Sequence, residues 1–176
     1  GLFPSFSLGW RITEEAFMKN TSDYLSNLKL RVSYGEVGNN RTSDYAWQAT
    51  YATANVIMDG KQTSGLIMKK IGNNSLEWES TKSMNIGLDF GFFNNRLSGE
   101  VDYYDKKTTG ILYTPSLYLT MGNKTGSTEN IAELDNKGFE LNLKWEDNVK
   151  GFQYAIGGNF SYNTNVVSKY KGKVEK

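Results

Sequence analysis

The chain has 176 residues, with Lys+Arg 20 against Asp+Glu 19, no Cys, no His and a mean hydropathy of −0.55. Without Cys there is no disulfide framework or thiolate chemistry, and without His no Ser-His-Asp triad, HExxH zinc site or imidazole shuttle. A net charge of +1 leaves no electrostatic footprint for nucleic acid, and no run approaches the ~18 apolar residues of a transmembrane helix.

Gly numbers 18, Asn is equally frequent, and Pro occurs only twice, which favours hairpin turns over disordered linkers. Tyr 11, Phe 9 and Trp 4 favour strands, so the chain reads as all-β. Period-two alternation marks six segments in chain order. Ser5–Ile12 places Phe6, Leu8, Trp10 and Ile12 on one face, and Leu28–Gly35 places Leu28, Leu30, Val32 and Tyr34. Asn85–Phe93 carries Ile86, Leu88, Phe90 and Phe92, and Arg96–Asp105 carries Leu97, Gly99, Val101 and Tyr103. Gly138–Glu146 shows Phe139, Leu141, Leu143 and Trp145. Phe152–Asn163 shows Phe152, Tyr154, Ile156, Gly158, Phe160 and Tyr162.

The opposite faces hold the charges: Arg11, Lys29, Arg31, Asp89, Arg96, Glu100, Asp102, Glu140, Lys144 and Glu146. A slip of one residue would exchange the two faces, so the register is strongly specified. The apolar face can meet either a protein core, as in a soluble β-sandwich, or lipid. The connections separate these readings. Asn94-Asn95 and residues 147–151 are short, residues 36–84 and 106–136 are long, and the two kinds alternate along the chain. Residues 13–27 are expected to carry a short helical turn capped by Thr13, with Glu14 and Glu15 at its favourable end.

An outer-membrane barrel has this asymmetry, with short periplasmic turns and long outer loops. With the short turns on the periplasmic side, Trp10, Phe92, Trp145 and Phe152 form one aromatic belt, and Tyr34, Tyr103 and Tyr162 form the other. The reading is therefore an antiparallel meander of about six strands, an arc of a large transmembrane β-barrel with unpaired edges at its first and last strands. Lys29, Arg31, Asp89, Arg96, Glu100, Asp102, Glu140 and Lys144 are expected to face the lumen.

Several runs carry a resemblance. Asn74-Ser75-Leu76-Glu77-Trp78-Glu79, followed by Thr81 and Asn85-Ile86-Gly87-Leu88-Asp89-Phe90, resembles the barrel of SusC/RagA-family TonB-linked outer-membrane proteins of Bacteroidetes. So do Asn94-Asn95-Arg96-Leu97-Ser98-Gly99, the run from Val101 to Thr108, and the segments 4–15, 27–39 and 130–141. Residues 72–77 and Ala132 depart from the family's usual pattern as ordinary variation. The resemblance implies a transporter of roughly 22 strands, filled by a plug, in the bacterial outer membrane. It also implies energy coupling through the TonB complex, a SusD-like lipoprotein partner, and glycan oligomers or peptides as cargo. No plug, TonB box or aromatic-ended final strand is recognised in these 176 residues. The expectation is an internal or truncated portion of the barrel's C-terminal part that transports nothing alone and needs no cofactor.

The remaining motifs point to structure more than chemistry. Glu100, Asp102 and Asp89 have a spacing open to glycoside hydrolysis, but Arg96, Arg31 and Lys29 balance them, so they read as lumen lining and no enzyme is expected. Tyr45, Trp47 and Tyr51 are the candidates for stacking on a sugar or contacting a partner from the long loop, while Trp78 reads as structural. The run Gly122 to Ser127 lacks the spacing of a phosphate loop, and the N-x-[ST] triplets at Asn20, Asn40, Asn73, Asn123 and Asn159 read as chance. Gly138 is expected to permit a bulge or a close approach. The alternative function is a soluble all-β carbohydrate-binding module at the cell surface.

Overall fold

A computed structural model describes residues 1–21, 23–122 and 124–171. Asn123 and residues 172–176 therefore lie outside the described residues. There are eight described strands: β1 (Ser5–Arg11), β2 (Leu25–Asn39), β3 (Thr50–Met58), β4 (Lys61–Lys70), β5 (Glu79–Phe92), β6 (Leu97–Tyr113), β7 (Glu129–Val149) and β8 (Phe152–Tyr170). Six of them form one antiparallel sheet in the order β1-β2-β5-β6-β7-β8, and β3 pairs with β4 in a separate hairpin. The six alternating segments of the sequence are the six strands of the main sheet.

The register matches the two-faced pattern. Phe6 pairs with Tyr34, Leu8 with Val32 and Trp10 with Leu30, while Ser7 pairs with Ser33, Gly9 with Arg31 and Arg11 with Lys29. Apolar residues thus lie beside apolar ones on one face and polar beside polar on the other.

The strands outrun the alternation that revealed them. β6 continues from Asp105 to Tyr113, β8 from Asn163 to Tyr170, and β7 begins at Glu129 instead of Gly138. The extensions group like residues together, as in Lys106-Lys107-Thr108-Thr109, Ile111-Leu112 and Val166-Val167, so no period of two marks them. Segments 36–84 and 106–136, expected as loops, hold the ends of these strands and, in the first, the β3–β4 hairpin. That hairpin turns at Asp59-Gly60 with φ of 52° and 70°, the Asp-Gly signature of a two-residue turn.

The other tight turns use the same conformation. Phe93, Asn94 and Asn95 have φ of 55°, 57° and 60°, and the Arg96 N–H donates to the Phe93 carbonyl at 3.2 Å. Arg96 therefore belongs to the turn and not to β6. Asp147 to Val149 complete β7, and the turn shrinks to Lys150-Gly151, with φ of 52° and 91°. Between β1 and β2 lie short 3-10 turns at Ile12–Glu14 and Ala16–Thr21. Thr13 caps neither: its hydroxyl accepts the Leu28 N–H at 3.4 Å.

The described residues build almost no core. Among the described residues Ala46 and Ile131 are the buried apolar side chains, and no large side chain is fully enclosed. The accessible surface is 13244 Å², against about 8,600 Å² for a compact monomer of this mass. Phe6, Leu8, Ile156 and Phe160 all stand exposed on the apolar face. The described residues fall into two compact units. One comprises Gly1–Val37, Thr81–Lys107 and Leu134–Val166; the other comprises Gly38–Ser80, Thr108–Glu133 and the chain from Val167 onward.

Gly151→Val places a branched side chain at positive φ, at a cost of about 1–2 kcal/mol. Urea unfolding of the full-length protein in detergent should shift to lower urea for this variant, while Lys150→Asn, which tolerates the conformation, should not shift it.

Candidate functional site

The polar face of the first unit centres on Arg31. Its Nε–H donates to Asp89 Oδ1 at 2.7 Å and its Nη2 to Asp102 Oδ2 at 2.9 Å, with Glu100 at 4.0 Å. The guanidinium reaches from β2 across β5 to β6 because Gly87 stands between: a Cβ there would collide with the Asp102 carboxylate and lie 2.7 Å from Arg31 Cζ. One cation thus holds carboxylates from two strands. The fork geometry suits Arg and not Lys.

Asn142 of β7 extends the network by donating to Glu100 Oε1 at 3.4 Å. Glu140 lines the same face beside Glu100 and Asp102, and Lys144 pairs with Glu146. An open recess of about 540 Å³ there is lined in part by Asp89, Glu100, Asn142, Lys144, Gly157 and Asn159. Lys29 stands opposite Arg11 on this face. Arg96 sits apart, in its turn, 3.4 Å from Asp147. Gly138 admits the ring of Tyr104, into which a Cβ would run, and Lys106 Nζ lies 5.0 Å from that ring's centroid. The close approach expected at Gly138 is therefore made by a side chain.

The apolar face carries the aromatic residues singled out from the sequence. Trp10 donates its indole N–H to Glu15 at 2.9 Å, the Phe6 and Tyr34 ring centroids lie 5.8 Å apart, and Phe90 and Phe92 are equally close. Phe152 stacks with Tyr154 at 6.2 Å, Tyr103 and Tyr162 are exposed, and Trp145 is half-buried. Two ion pairs follow on this face just past Tyr34 and Tyr103: Lys82 with Glu36 at 3.3 Å and Lys137 with Asp105 at 2.8 Å. The Tyr34 hydroxyl donates to Glu36 as well. Sequence reasoning missed these pairs because Glu36, Lys82 and Lys137 lie beyond the alternating runs of their strands and Asp105 is the last residue of its own.

In the second unit the family-like runs lock together. The Asn130 side chain pairs with the Glu77 backbone in both directions, accepting its N–H at 2.9 Å and donating to its carbonyl at 2.8 Å, and it also donates to the Gly110 carbonyl at 2.7 Å. Gly110 has a φ of 69°. Glu79 accepts the Leu112 N–H at 2.9 Å and the Asn39 amide at 2.7 Å. Asn73 donates to the Thr128 carbonyl at 2.9 Å. The Asn and Glu of these runs therefore fasten the segment entering β5, while the Trp78 side chain is half exposed. Tyr45 and Trp47, in the turn before β3, and Tyr51, on β3, are all exposed, and no ring contact joins the three.

Comparison with known proteins decides the family. The family model described as "TonB dependent receptor-like, beta-barrel" matches residues 1–175. The chain belongs to the TonB-dependent receptor β-barrel family. Curated members include the TonB-dependent receptor SusC of Bacteroides thetaiotaomicron, 35% identical over 98% of this chain and 18% of its own length. TonB-dependent receptor P3 of Formosa agariphila is 33% identical over 95% of this chain and 17% of its own. Among solved structures, the RagAB peptide importer in its open-open state matches with a TM-score of 0.80 and 32% identity, over 96% of this chain and 18% of that one. The chain thus spans about a fifth of the length of these TonB-dependent relatives. Barrels of the family are outer-membrane proteins. Membership does not favour the soluble carbohydrate-binding module.

Arg31→Met leaves Asp89 and Asp102 without their cation and should lower the unfolding free energy of the full-length protein by about 1.5–3 kcal/mol. Pairing it with Asp102→Asn in a double-mutant cycle should show coupling of at least about 0.5 kcal/mol; additivity would mean that the bridge is inert.

Proposed function

We propose that this chain forms barrel wall and outer loops of a TonB-dependent outer-membrane transporter that imports glycan oligomers or peptides with a SusD-like lipoprotein. The observation that carries the reading is a sheet with one apolar and one charged face and, among the described residues, no core beneath either. A wall between lipid and a wet lumen needs that division. Lys29, Arg31, Asp89, Glu100, Asp102, Glu140 and Lys144 then face the lumen, and Trp10, Phe92, Trp145 and Phe152 stand at the periplasmic end of the lipid face. Arg96 lies at the periplasmic rim.

Tyr34, Tyr103 and Tyr162 mark the outer interface, and the Lys82–Glu36 and Lys137–Asp105 pairs beyond them mark where the hydrocarbon gives way to headgroups. The tight turns at Asn94-Asn95 and Lys150-Gly151 mark the periplasmic end of the wall, so segments 36–84 and 106–136 stand outside the cell. Tyr45, Trp47 and Tyr51 are there as contacts for cargo or for the lipoprotein. Peptide cargo has the support of the RagAB importers among the similar structures.

Transport is driven by the TonB complex acting on the plug, and no bond is made or broken by this segment. The Arg31 bridge ties Asp89 and Asp102 into the wall. The full-length protein should fractionate with the outer membrane, need detergent for extraction, and accumulate peptide or oligosaccharide only in cells with an intact TonB complex. A monodisperse monomer in detergent-free buffer would contradict the membrane reading, and TonB-independent accumulation would contradict the coupling.

A further inference from the structure

We propose that the edge of β3 that no described strand pairs takes up an extended peptide cargo by strand addition; the inference rests on the peptide-import reading above. In a two-residue hairpin the residues flanking the turn, Met58 and Lys61, form the first hydrogen-bonded pair. Met58, Val56, Ala54 and Ala52 accordingly turn their N–H and C=O groups toward β4. Ile57, Asn55, Thr53 and Tyr51 turn theirs away.

No described backbone group bonds to that outer edge. The far side of β4 differs, because it is capped at its Lys70 end by a bridge to Thr125: the Thr125 N–H donates to the Lys69 carbonyl at 2.8 Å and the Ile71 N–H to the Thr125 carbonyl at 3.2 Å.

Exposed edges are commonly protected by charge, proline or a central bulge. β3, Thr50–Met58, has no charged residue and no proline, and its one irregularity falls at its first step, Thr50/Tyr51. β4 carries Lys61, Lys69 and Lys70. The outward groups recur every second residue, about 7 Å apart, and from Tyr51 to Ile57 they extend about 20 Å, the length of six to seven residues of extended chain. Alternating donors and acceptors at this spacing match a polypeptide main chain and not a sugar ring.

The face shared by these four residues adds contact area: Tyr51 and Ile57 are 61% and 79% exposed, and Leu66, paired with Thr53, is 75% exposed. A two-stranded ribbon is marginal alone, and a third strand would complete it. Main-chain pairing supplies affinity while the flanking side chains select weakly, so peptides of varied sequence would be accepted.

Proline tests this directly. Thr53→Pro and Asn55→Pro each remove an outward N–H and leave the β4 ladder intact, Asn55→Ser keeps the N–H, and Ala54→Pro breaks the ladder as a control for a damaged hairpin. The full-length transporter with its lipoprotein is incubated with a tryptic digest of casein, washed, and the retained peptide is quantified by mass spectrometry. Thr53→Pro and Asn55→Pro should each retain about tenfold less peptide than wild type, while Asn55→Ser retains it. Wild-type retention in both proline variants would overturn the proposal and leave the import reading standing. No retention by wild type would instead overturn peptide import itself. Independently of any variant, a retained peptide resynthesised with alternate N-methyl groups should lose binding to wild type; equal binding would also overturn strand addition.

Discussion

A strand commits its backbone polar groups to its neighbours and leaves its side chains two faces. In a compact protein a second layer covers one of them. Here the main sheet has no second layer among the described residues, so each face needs a medium that suits it. The Phe6–Tyr34 and Leu8–Val32 pairings on one side and the Arg31 bridge on the other follow from that constraint. Backbone satisfaction by inter-strand pairing also allows such a sheet to cross a bilayer once its edges are closed. β1 and β8 are the edges within this chain, and in a complete barrel each would pair onward.

The polar face shows why a wall of this kind can carry charge. Arg31 spans three strands, and the missing side chain at Gly87 gives its guanidinium a level path to Asp102. Tyr104 over Gly138 covers a gap two strands further on. Both devices place a large polar or aromatic group across a strand that would otherwise hold it off. They brace the wall laterally without a core.

The legible part of the fold was the part where the two faces carry different side chains. Alternation identified all six strands of the main sheet and their facing, because there a change of side chain changes the environment. It ended at Asp105 and Asn163 while β6 and β8 continued, since like residues follow one another there, as in Lys106-Lys107 and Val166-Val167, and no period of two survives. The β3–β4 hairpin was missed although Asp59-Gly60 is a strong turn signal, because Lys61–Lys70 does not alternate and the short alternation in β3 rests on the small Ala52 and Ala54 against Thr53 and Asn55. Resemblance located the Asn130 and Glu79 runs without giving their purpose, which is to replace strand partners with side-chain hydrogen bonds where the sheet is entered. The Glu36–Lys82 and Asp105–Lys137 pairs were invisible for a related reason: each joins residues on different strands at a height that only the register defines.

The central claim is a single wall with lipid on one side and water on the other. Because this segment contains no cysteine, spin labels can be placed singly at Phe139 through Trp145 of full-length protein in a bilayer, with any cysteine elsewhere removed. Collision with oxygen dissolved in the lipid should peak at Phe139, Leu141, Leu143 and Trp145, and collision with a water-soluble nickel chelate should peak at Glu140, Asn142 and Lys144. Seven positions with the same accessibility, or with the two patterns in phase, would contradict it.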